Sequence, residues 1–177
     1  MILTTLALVL AVQDPVADGK IAVKMMTTDD PIVSVGVVDA PVRQVWTLFS
    51  TAEGAKKWMA NAVKVDFRIG GSYRTSYKED SKLDGPDTIV NDILAIDPYR
   101  MVTIRNTKAP DGFPWKAAME RCWTVIYLHD LGGKQTKVEV RMNGYDGSKE
   151  SMDLKEHFAK WNQQSLDTMV KAFAKKD

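Results

Sequence analysis

Apolar side chains recur in steps of three and four residues through the C-terminal segment from Ser148 to Lys176. This period places them on one face of a helix. A face this apolar must pack against another element, because its burial removes a large apolar area from water. The segment therefore predicts one long amphipathic helix, with a stripe made of Leu154, Phe158, Trp161, Ser165, Leu166, Met169, Val170 and Phe173.

The middle of the chain follows a different pattern, in which short β-type runs are separated by turn residues. Most connections are short enough for hairpins, so the runs predict an antiparallel meander. Both faces are mixed in the strands after Thr88, and their inner face stays unassigned. The six predicted strands are Val63 to Ile69, Tyr73 to Lys78, Thr88 to Ile96, Arg100 to Thr107, Cys122 to His129 and Thr136 to Asn143.

The first hairpin allows its register to be predicted. A two-residue turn at Gly70-Gly71 would mix apolar and charged side chains on one face, whereas a three-residue loop with a left-handed glycine separates them. We expect the second register. It gives an outer face of Lys64, Asp66, Arg68, Arg74, Ser76 and Lys78, and an inner face of Val63, Val65, Phe67, Ile69, Tyr73, Thr75 and Tyr77.

Two strands and two short helices are predicted before the meander. The run at 31–38 indicates a strand from Ile32 to Val38, and a shorter strand is expected from Ile21 to Met26. Asp39 as N-cap and Pro41 in the first turn predict a helix from Pro41 to Phe49. A second helix, Thr51 to Met59, is weakened by its internal glycine, Gly54.

The first residues have the pattern of a leader. Ile2 to Val12 form an uncharged apolar run of the length of a signal-peptide core, too short to cross a bilayer as a helix. The alternatives are an apolar tail or a docked strand. We therefore predict a signal peptide at residues 1–13, an extension at 14–30 and one domain at 31–177, with periplasmic or secreted localisation, or a cytoplasmic one if the run is not a signal.

Composition narrows the class of protein. The 177 residues carry 24 Lys and Arg against 23 Asp and Glu, a net charge of +1, so no positive field for nucleic acid is expected. With 45% hydrophobic residues the chain is long enough to bury a core. The single cysteine, Cys122, excludes an intramolecular disulfide. We expect no membrane anchor after leader cleavage.

The order of strand, two short helices, meander and closing helix resembles the START-like (SRPBCC, helix-grip) superfamily, which includes polyketide cyclases. The branch of the heat-shock-chaperone ATPase-activator homologues is most similar, through the stretches DAPVRQVWTLFSTAEGAKKWM, VDFRIGGSYRTSY and IVNDILAIDPYRM and the Thr136–Val140 strand. The resemblance implies an α+β fold with a curved six- to seven-strand antiparallel sheet around the C-terminal helix. It also implies a cavity for apolar small molecules, and it transfers no catalytic residue.

Aromatic residues supply the candidate ligand-binding set, since rings and tyrosine hydroxyls suit an apolar molecule with a polar end. The alternative is that these rings fill the core. A further pair lies on the long loop at 106–120 and predicts a lid, a partner contact or a packed plug. The binding candidates are Trp58, Phe67, Tyr73, Tyr77, Trp123, Tyr127 and Trp161, and the lid candidates are Phe113 and Trp115.

No catalytic or metal-binding constellation stands out. His129 and His157 lack the spacing of metal ligands and are expected at the surface or at a cavity rim, and Cys122 in a buried strand. No cofactor is expected. We therefore predict a monomeric, exported protein that binds a small apolar or amphipathic ligand. The alternatives are a cyclase or dehydratase that uses cavity tyrosines and His129, and a chaperone-activator-like interaction module.

Overall fold

The computed structural model of the chain describes residues 22–25 and 31–173. The predicted signal peptide at 1–13 lies outside the described residues, and so does the predicted extension at 14–30 except for residues 22–25. Within the described part, the strands are β1 (Ala22–Met25), β2 (Ile32–Val38), β3 (Ala62–Val65), β4 (Ser72–Ser76), β5 (Ile89–Asp97), β6 (Met101–Lys108), β7 (Trp123–Leu131) and β8 (Gln135–Asn143). The helices are α1 (Val42–Ser50), α2 (Ala52–Lys56), α3 (Lys116–Arg121) and α4 (Lys149–Ala172).

All of these strands belong to one curled antiparallel sheet in the order β1-β2-β8-β7-β6-β5-β4-β3. Helix α4 packs on its inner face, where Leu166 and Met169 join a core with Ile93, Ile126 and Val138. The α+β helix-grip architecture confirms the predicted fold class. Seven strands belong to the predicted domain, and β1 extends the sheet at the edge beside β2.

The two short helices begin and end at other residues than predicted. Pro41 rather than Asp39 is the N-cap of α1, and no side chain caps this helix. Helix α2 is only five residues long, and its N-cap Thr51 accepts a hydrogen bond from the backbone N–H of Gly54 at 3.0 Å. These helices carry the chain from β2 to β3 at the opposite edge of the sheet.

The first hairpin has the predicted faces but a longer loop. Val65 pairs with Tyr73 and Val63 with Thr75, so the expected inner residues do share a face. Strand β3 nevertheless ends at Val65 instead of Ile69, because residues 66–71 leave the ladder in tight turns. Gly70 is left-handed as expected, and Ile69 is exposed rather than inner.

Two irregularities in the pairing of β5 with β6 explain why the faces of these strands could not be assigned from the sequence. The β5–β6 pairing shifts register between Val90 and Asn91 and again between Ile93 and Ala95. Each shift breaks the two-residue alternation of side chains. Ile93 and Ile96 consequently both face the core, although regular alternation would turn residues three apart to opposite faces.

The segment at 106–120 is not the continuous loop that was predicted. Strand β6 extends to Lys108, and Lys116–Arg121 form α3. Helix α3 contacts α4 through a hydrogen bond, which the backbone N–H of Ala118 donates to Glu150 Oε1 at 3.2 Å. A second, smaller core forms here, where Ala118 and Cys122 pack with Leu154.

Candidate functional site

A cavity of about 330 Å³ lies between the inner face of the sheet and α4. No Asp, Glu, Lys or Arg is among the described residues that line it, and most of the lining is apolar. The lining residues are Trp58, Met59, Thr75, Tyr77, Ile89, Asn91, Ile104, Asn106, Ala109, Pro110, Phe113, Met119, Thr124, Ile126, Val140, Met142, His157, Phe158, Trp161, Asn162, Ser165, Leu166 and Met169.

The sheet wall of the cavity is a band of paired residues. Alternation along each strand points every second side chain inward, and the antiparallel register brings these side chains side by side. The pairs from β4 across to β8 are Thr75 with Ile89, Asn91 with Asn106, Ile104 with Thr124, Thr124 with Met142, and Ile126 with Val140. The register of the sheet therefore shapes one side of the cavity.

Helix α4 supplies the opposite wall through residues spaced three and four apart. These side chains continue the apolar stripe that the sequence predicts, with His157, Asn162 and Ser165 as the polar residues among them. The helix begins where Ser148 Oγ accepts from the backbone N–H of Ser151. Its cavity-lining residues are His157, Phe158, Trp161, Asn162, Ser165, Leu166 and Met169.

Three of the predicted binding residues line the cavity. The indole Nε1 of Trp58 donates to the backbone oxygen of Leu48 at 2.8 Å, which fixes the ring against the end of α1. Tyr77 and Trp161 lie with their ring centroids 6.0 Å apart and are 56% and 42% exposed. This pair therefore lies where the cavity opens to solvent.

Four other predicted binding residues lie away from the lining. Tyr73 is on the inner face and buried, but its hydroxyl donates to the backbone oxygen of Phe49 at 2.7 Å, and burial raises its pKa. Phe67 packs edge-to-face on Trp46, with ring centroids 5.5 Å apart. Both side chains therefore contact α1, at Trp46 and Phe49, and do not line the cavity.

Trp123 and Tyr127 lie on the outer face of the sheet. Their neighbours Ile126 and Leu128 are buried in the core, and alternation turns the other residues of β7 outward. Trp123 is exposed, and the Arg141 guanidinium lies 6.0 Å from the centre of the Tyr127 ring. The face of β7 that carries Trp123 and Tyr127, which the sequence left unassigned, is therefore the outer face of the sheet.

The two lid candidates close one side of the cavity as a packed pair. Phe113 lines the cavity, and Trp115 meets it edge-to-face with ring centroids 5.6 Å apart. Trp115 is not part of the lining, but its ring lies 5.0 Å from that of His157 on α4. Both rings are half-buried against the smaller core, as a structural plug would be.

His157 is surrounded by the rings of Phe113, Trp115, Phe158 and Trp161. Burial in this surrounding lowers the pKa of its imidazole below 6.5, and the nearby charge of Lys160 lowers it further. A lowered pKa favours the neutral form of the imidazole. His157 is the only histidine among the described lining residues, beside which no Asp, Glu, Lys or Arg lines the cavity.

The other candidate chemical groups are not at the cavity. His129 lies on the outer face with Nε2 3.8 Å from a Glu139 carboxylate oxygen. Cys122 is buried, and its Sγ donates to the backbone oxygen of Ala118 at 3.4 Å. Burial raises the pKa of the thiol to about 11, so the thiolate form is suppressed at neutral pH. Across residues 31–173 no three His, Cys, Asp or Glu side chains come together as metal ligands.

Sequence reasoning missed the amide side chains that line the cavity. Asn91 and Asn106 face each other from β5 and β6, and Asn162 lies on α4. The sequence did contain a signal for Asn162. It lies four residues after Phe158 and four before Leu166, so it occupies a position of the apolar stripe with a polar side chain. No comparable signal marked Asn91 in β5 and Asn106 in β6, since the register shifts between these strands obscure their faces.

A curled antiparallel sheet that grips a long helix and leaves a lined cavity between them defines a START-like, helix-grip protein. Residues 39–174 match the family model "Activator of Hsp90 ATPase homolog 1-like protein", and the chain belongs to this family. No helix among the described residues is both long and apolar enough to pass through a bilayer.

Solved structures with this fold include CalU16 from Micromonospora echinospora, at 18% identity over 86% of this chain and 81% of that one, with a TM-score of 0.59. The Aha1 dimer from Colwellia psychrerythraea is similar at 13% identity over 79% and 96% of the two chains, with a TM-score of 0.57. Ms6760 from Mycobacterium smegmatis is similar with a TM-score of 0.66, at 14% identity over 89% of this chain and 99% of that one. A comparison with curated proteins finds no match. At these identities the structural similarity concerns the fold.

Proposed function

We propose that this protein, as a monomer, holds a small apolar or amphipathic molecule in the cavity between α4 and the sheet without changing it chemically. The observation that carries this proposal is the cavity of about 330 Å³ with an uncharged and mostly apolar lining. Ligand pockets typically measure about 300 to 1,000 Å³ and combine apolar walls with a few polar groups. A volume at the lower end of this range favours a small molecule.

The acid–base groups support binding over catalysis. The cyclase or dehydratase alternative depends on a cavity-facing His129, and that residue lies on the outer face. His157 does line the cavity, but the carboxylate four residues before it, Asp153, pairs with Lys149 at 2.6 Å. General acid–base catalysis needs a group of suitable pKa within reach of the reacting proton, and a neutral imidazole among four aromatic rings has no oriented carboxylate to assist it.

Filling the cavity from α4 should abolish ligand binding. Ser165→Phe places a ring inside the lining, and we expect the affinity for the neutral fluorophore N-phenyl-1-naphthylamine to fall by more than tenfold. Gln164→Phe is the matched control, since Gln164 is the exposed neighbour of Ser165 outside the lining. Fluorescence titration of the wild-type and both variant proteins gives the three affinities.

The outcome that contradicts the proposal is a wild-type protein that neither binds the probe nor carries a small molecule in native mass spectrometry. Equal affinities for the Ser165→Phe and Gln164→Phe variants would place the probe elsewhere on the surface. Circular dichroism of each variant establishes that it is folded before its affinity is interpreted.

Export is the second part of the proposal, and the apolar run from Ile2 to Val12 supports it. Exported protein is separated from cytosolic chaperones, whereas an activator-like interaction module, the alternative that the family description suggests, must meet its chaperone. We expect the mature protein to be found outside the cytoplasm and to begin near residue 14. N-terminal sequencing after cell fractionation tests this, and an uncleaved cytoplasmic protein would favour the activator-like alternative.

A further inference from the structure

Four polar side chains form a row across the sheet wall of the cavity, and we call this row the polar band. Asn91 of β5 pairs directly with Asn106 of β6. Thr75 lies diagonally from Asn91, two residues beyond its direct partner on β4, and Thr124 lies opposite the β6 residue two positions before Asn106. Diagonal neighbours on one face of a sheet are roughly 7 to 8 Å apart. All four residues line the cavity, so the polar band crosses the neighbouring strands β4 to β7.

The amide of Asn106 fixes the orientation of the amide of Asn91. Asn106 Nδ2 donates to the backbone oxygens of Val90 and Lys108 and to Asn91 Oδ1, each at 3.2 Å. Because a backbone oxygen only accepts, the nitrogen of the Asn106 amide must face these oxygens, and Asn91 must then present its oxygen to that nitrogen. Asn91 Nδ2 is left to point elsewhere, and Asn106 acts as a positioning residue.

At least three atoms of the polar band are available to an occupant. Asn91 Nδ2, Thr75 Oγ1 and Thr124 Oγ1 make no hydrogen bond to any other residue that the structure describes. None of the three is among the fully enclosed polar atoms, whereas Asn162 Nδ2 of α4 is enclosed. They therefore reach the cavity that their residues line. The amide nitrogen donates, and each hydroxyl both donates and accepts.

Helix α4 presents a different surface to the cavity. Its polar lining residues are separated by large apolar ones, since Trp161 lies between His157 and Ser165 along the helix. Phe158 lies one turn before Asn162. Among the described lining residues, a row of four neighbouring polar side chains is therefore found on the sheet wall and not on the helix wall.

An occupant without polar groups would leave the atoms of the polar band separated from water and unpaired. Such atoms lose their hydrogen bonds to water without a replacement, which is unfavourable. A site built to hydrogen-bond its ligand consequently discriminates against an analogue that lacks the bonding groups. The polar band favours an occupant with matching polar groups over a purely apolar one.

We propose that the ligand is an amphipathic molecule with two or more hydrogen-bonding groups along one edge, such as hydroxyl or carbonyl oxygens, and that this edge binds to the polar band. This inference rests on the proposed ligand-binding function. Asn91 Nδ2 donates to one of these groups, and the hydroxyls of Thr75 and Thr124 bind another. The rings and aliphatic side chains of α4 contact the apolar remainder of the ligand.

Naphthalene-2,7-diol and 2,7-dimethylnaphthalene test the inference, because they share one fluorescent ring system and differ in substituents of similar size. In Asn91→Leu we expect the affinity for the diol to fall about tenfold, since the donor is lost, and the affinity for the dimethyl compound to change by less than about twofold. Asn143→Leu, the same substitution outside the lining, should leave both affinities unchanged. Fluorescence titration with each protein gives the affinities.

The double variant Thr75→Val with Thr124→Val tests the hydroxyls with little change of shape. We again expect the affinity for the diol to fall about tenfold while that for the dimethyl compound changes by less than about twofold. Thr103→Val is the matched control, because Thr103 lies outside the lining. Urea unfolding of the double variant should show unchanged or increased stability, because the hydroxyls that it removes are unpaired in the folded chain.

The outcomes separate this inference from the function on which it rests. If the wild-type protein binds neither naphthalene compound and does not bind N-phenyl-1-naphthylamine, the proposed function fails. If it binds N-phenyl-1-naphthylamine but not the diol, the polar-band assignment alone is overturned. The same holds if the Asn91 and threonine variants weaken the diol and the dimethyl compound equally, or leave the affinity for the diol unchanged.

Discussion

Replacing Gly54 by alanine should destabilise the protein by about 2 to 4 kcal/mol, a large effect for one methyl group. A Cβ at this position would lie only 1.9 Å from the backbone oxygen of Thr47 and 2.8 Å from the Cα of Leu48. Both are backbone atoms and cannot rotate away, so α1 and α2 would have to separate. Helix propensity alone predicts the opposite sign, since alanine is favoured over glycine in a helix by about 1 kcal/mol.

The measurement is urea unfolding followed by circular dichroism, in which the midpoint falls while the denaturant dependence stays constant. Gly85→Ala is the matched control, because its Cβ would meet only the side chain of Asp87, at 3.2 Å. That control should change the free energy of unfolding by less than about 1 kcal/mol. An alanine variant at position 54 as stable as the wild type would show that the two helices are not packed as closely as described.

Truncating Leu166 to alanine should cost about 2 to 5 kcal/mol of folding free energy. The side chain is 0% exposed and joins the main core while also lining the cavity. Its loss removes apolar contact and enlarges the existing space, which the surrounding sheet cannot easily close. Chemical unfolding gives the stability.

Leu131→Ala is the appropriate comparison for Leu166→Ala, because Leu131 at the end of β7 is exposed. Its truncation should change the free energy of unfolding by no more than about 0.5 kcal/mol. A similar, small effect at both positions would mean that α4 is not held against the sheet. It would then contradict the described position of the cavity.

The fold could be predicted from the sequence where its patterns are regular. The stripe of α4 from Leu154 to Met169 and the turn residues of the meander indicate the helix-grip order, and the structure and the family match confirmed the class that the resemblance implied. Helix α3 was missed because Pro110, Gly112 and Pro114 indicate a loop, while the helix begins just beyond them at Lys116. The β3–β4 loop was predicted too short, since periodicity fixes which residues share a face but not where the ladder ends.

The candidate site could be predicted only in part. Alternation correctly placed Tyr73 on the inner face, but local pattern contains no information on which inner residues meet α1 and which meet the cavity. Trp58, Tyr77 and Trp161 reach the lining because α2, the end of β4 and α4 converge there. The helical spacing places Asn162 on the stripe of α4, but only the packing of α4 over the sheet makes that stripe part of a cavity wall.

Helix α4 contributes both to the hydrophobic core and to the cavity wall, and this limits which of its residues can be substituted. Its Leu166 and Met169 belong at once to the core and to the cavity wall, so a substitution there that alters selectivity also endangers folding. Ile104 and Thr124 face the same cavity from the sheet and are only half-buried. If the proposed ligand binding holds, substitutions at these strand positions would change the shape of the cavity with less risk to folding than substitutions in α4.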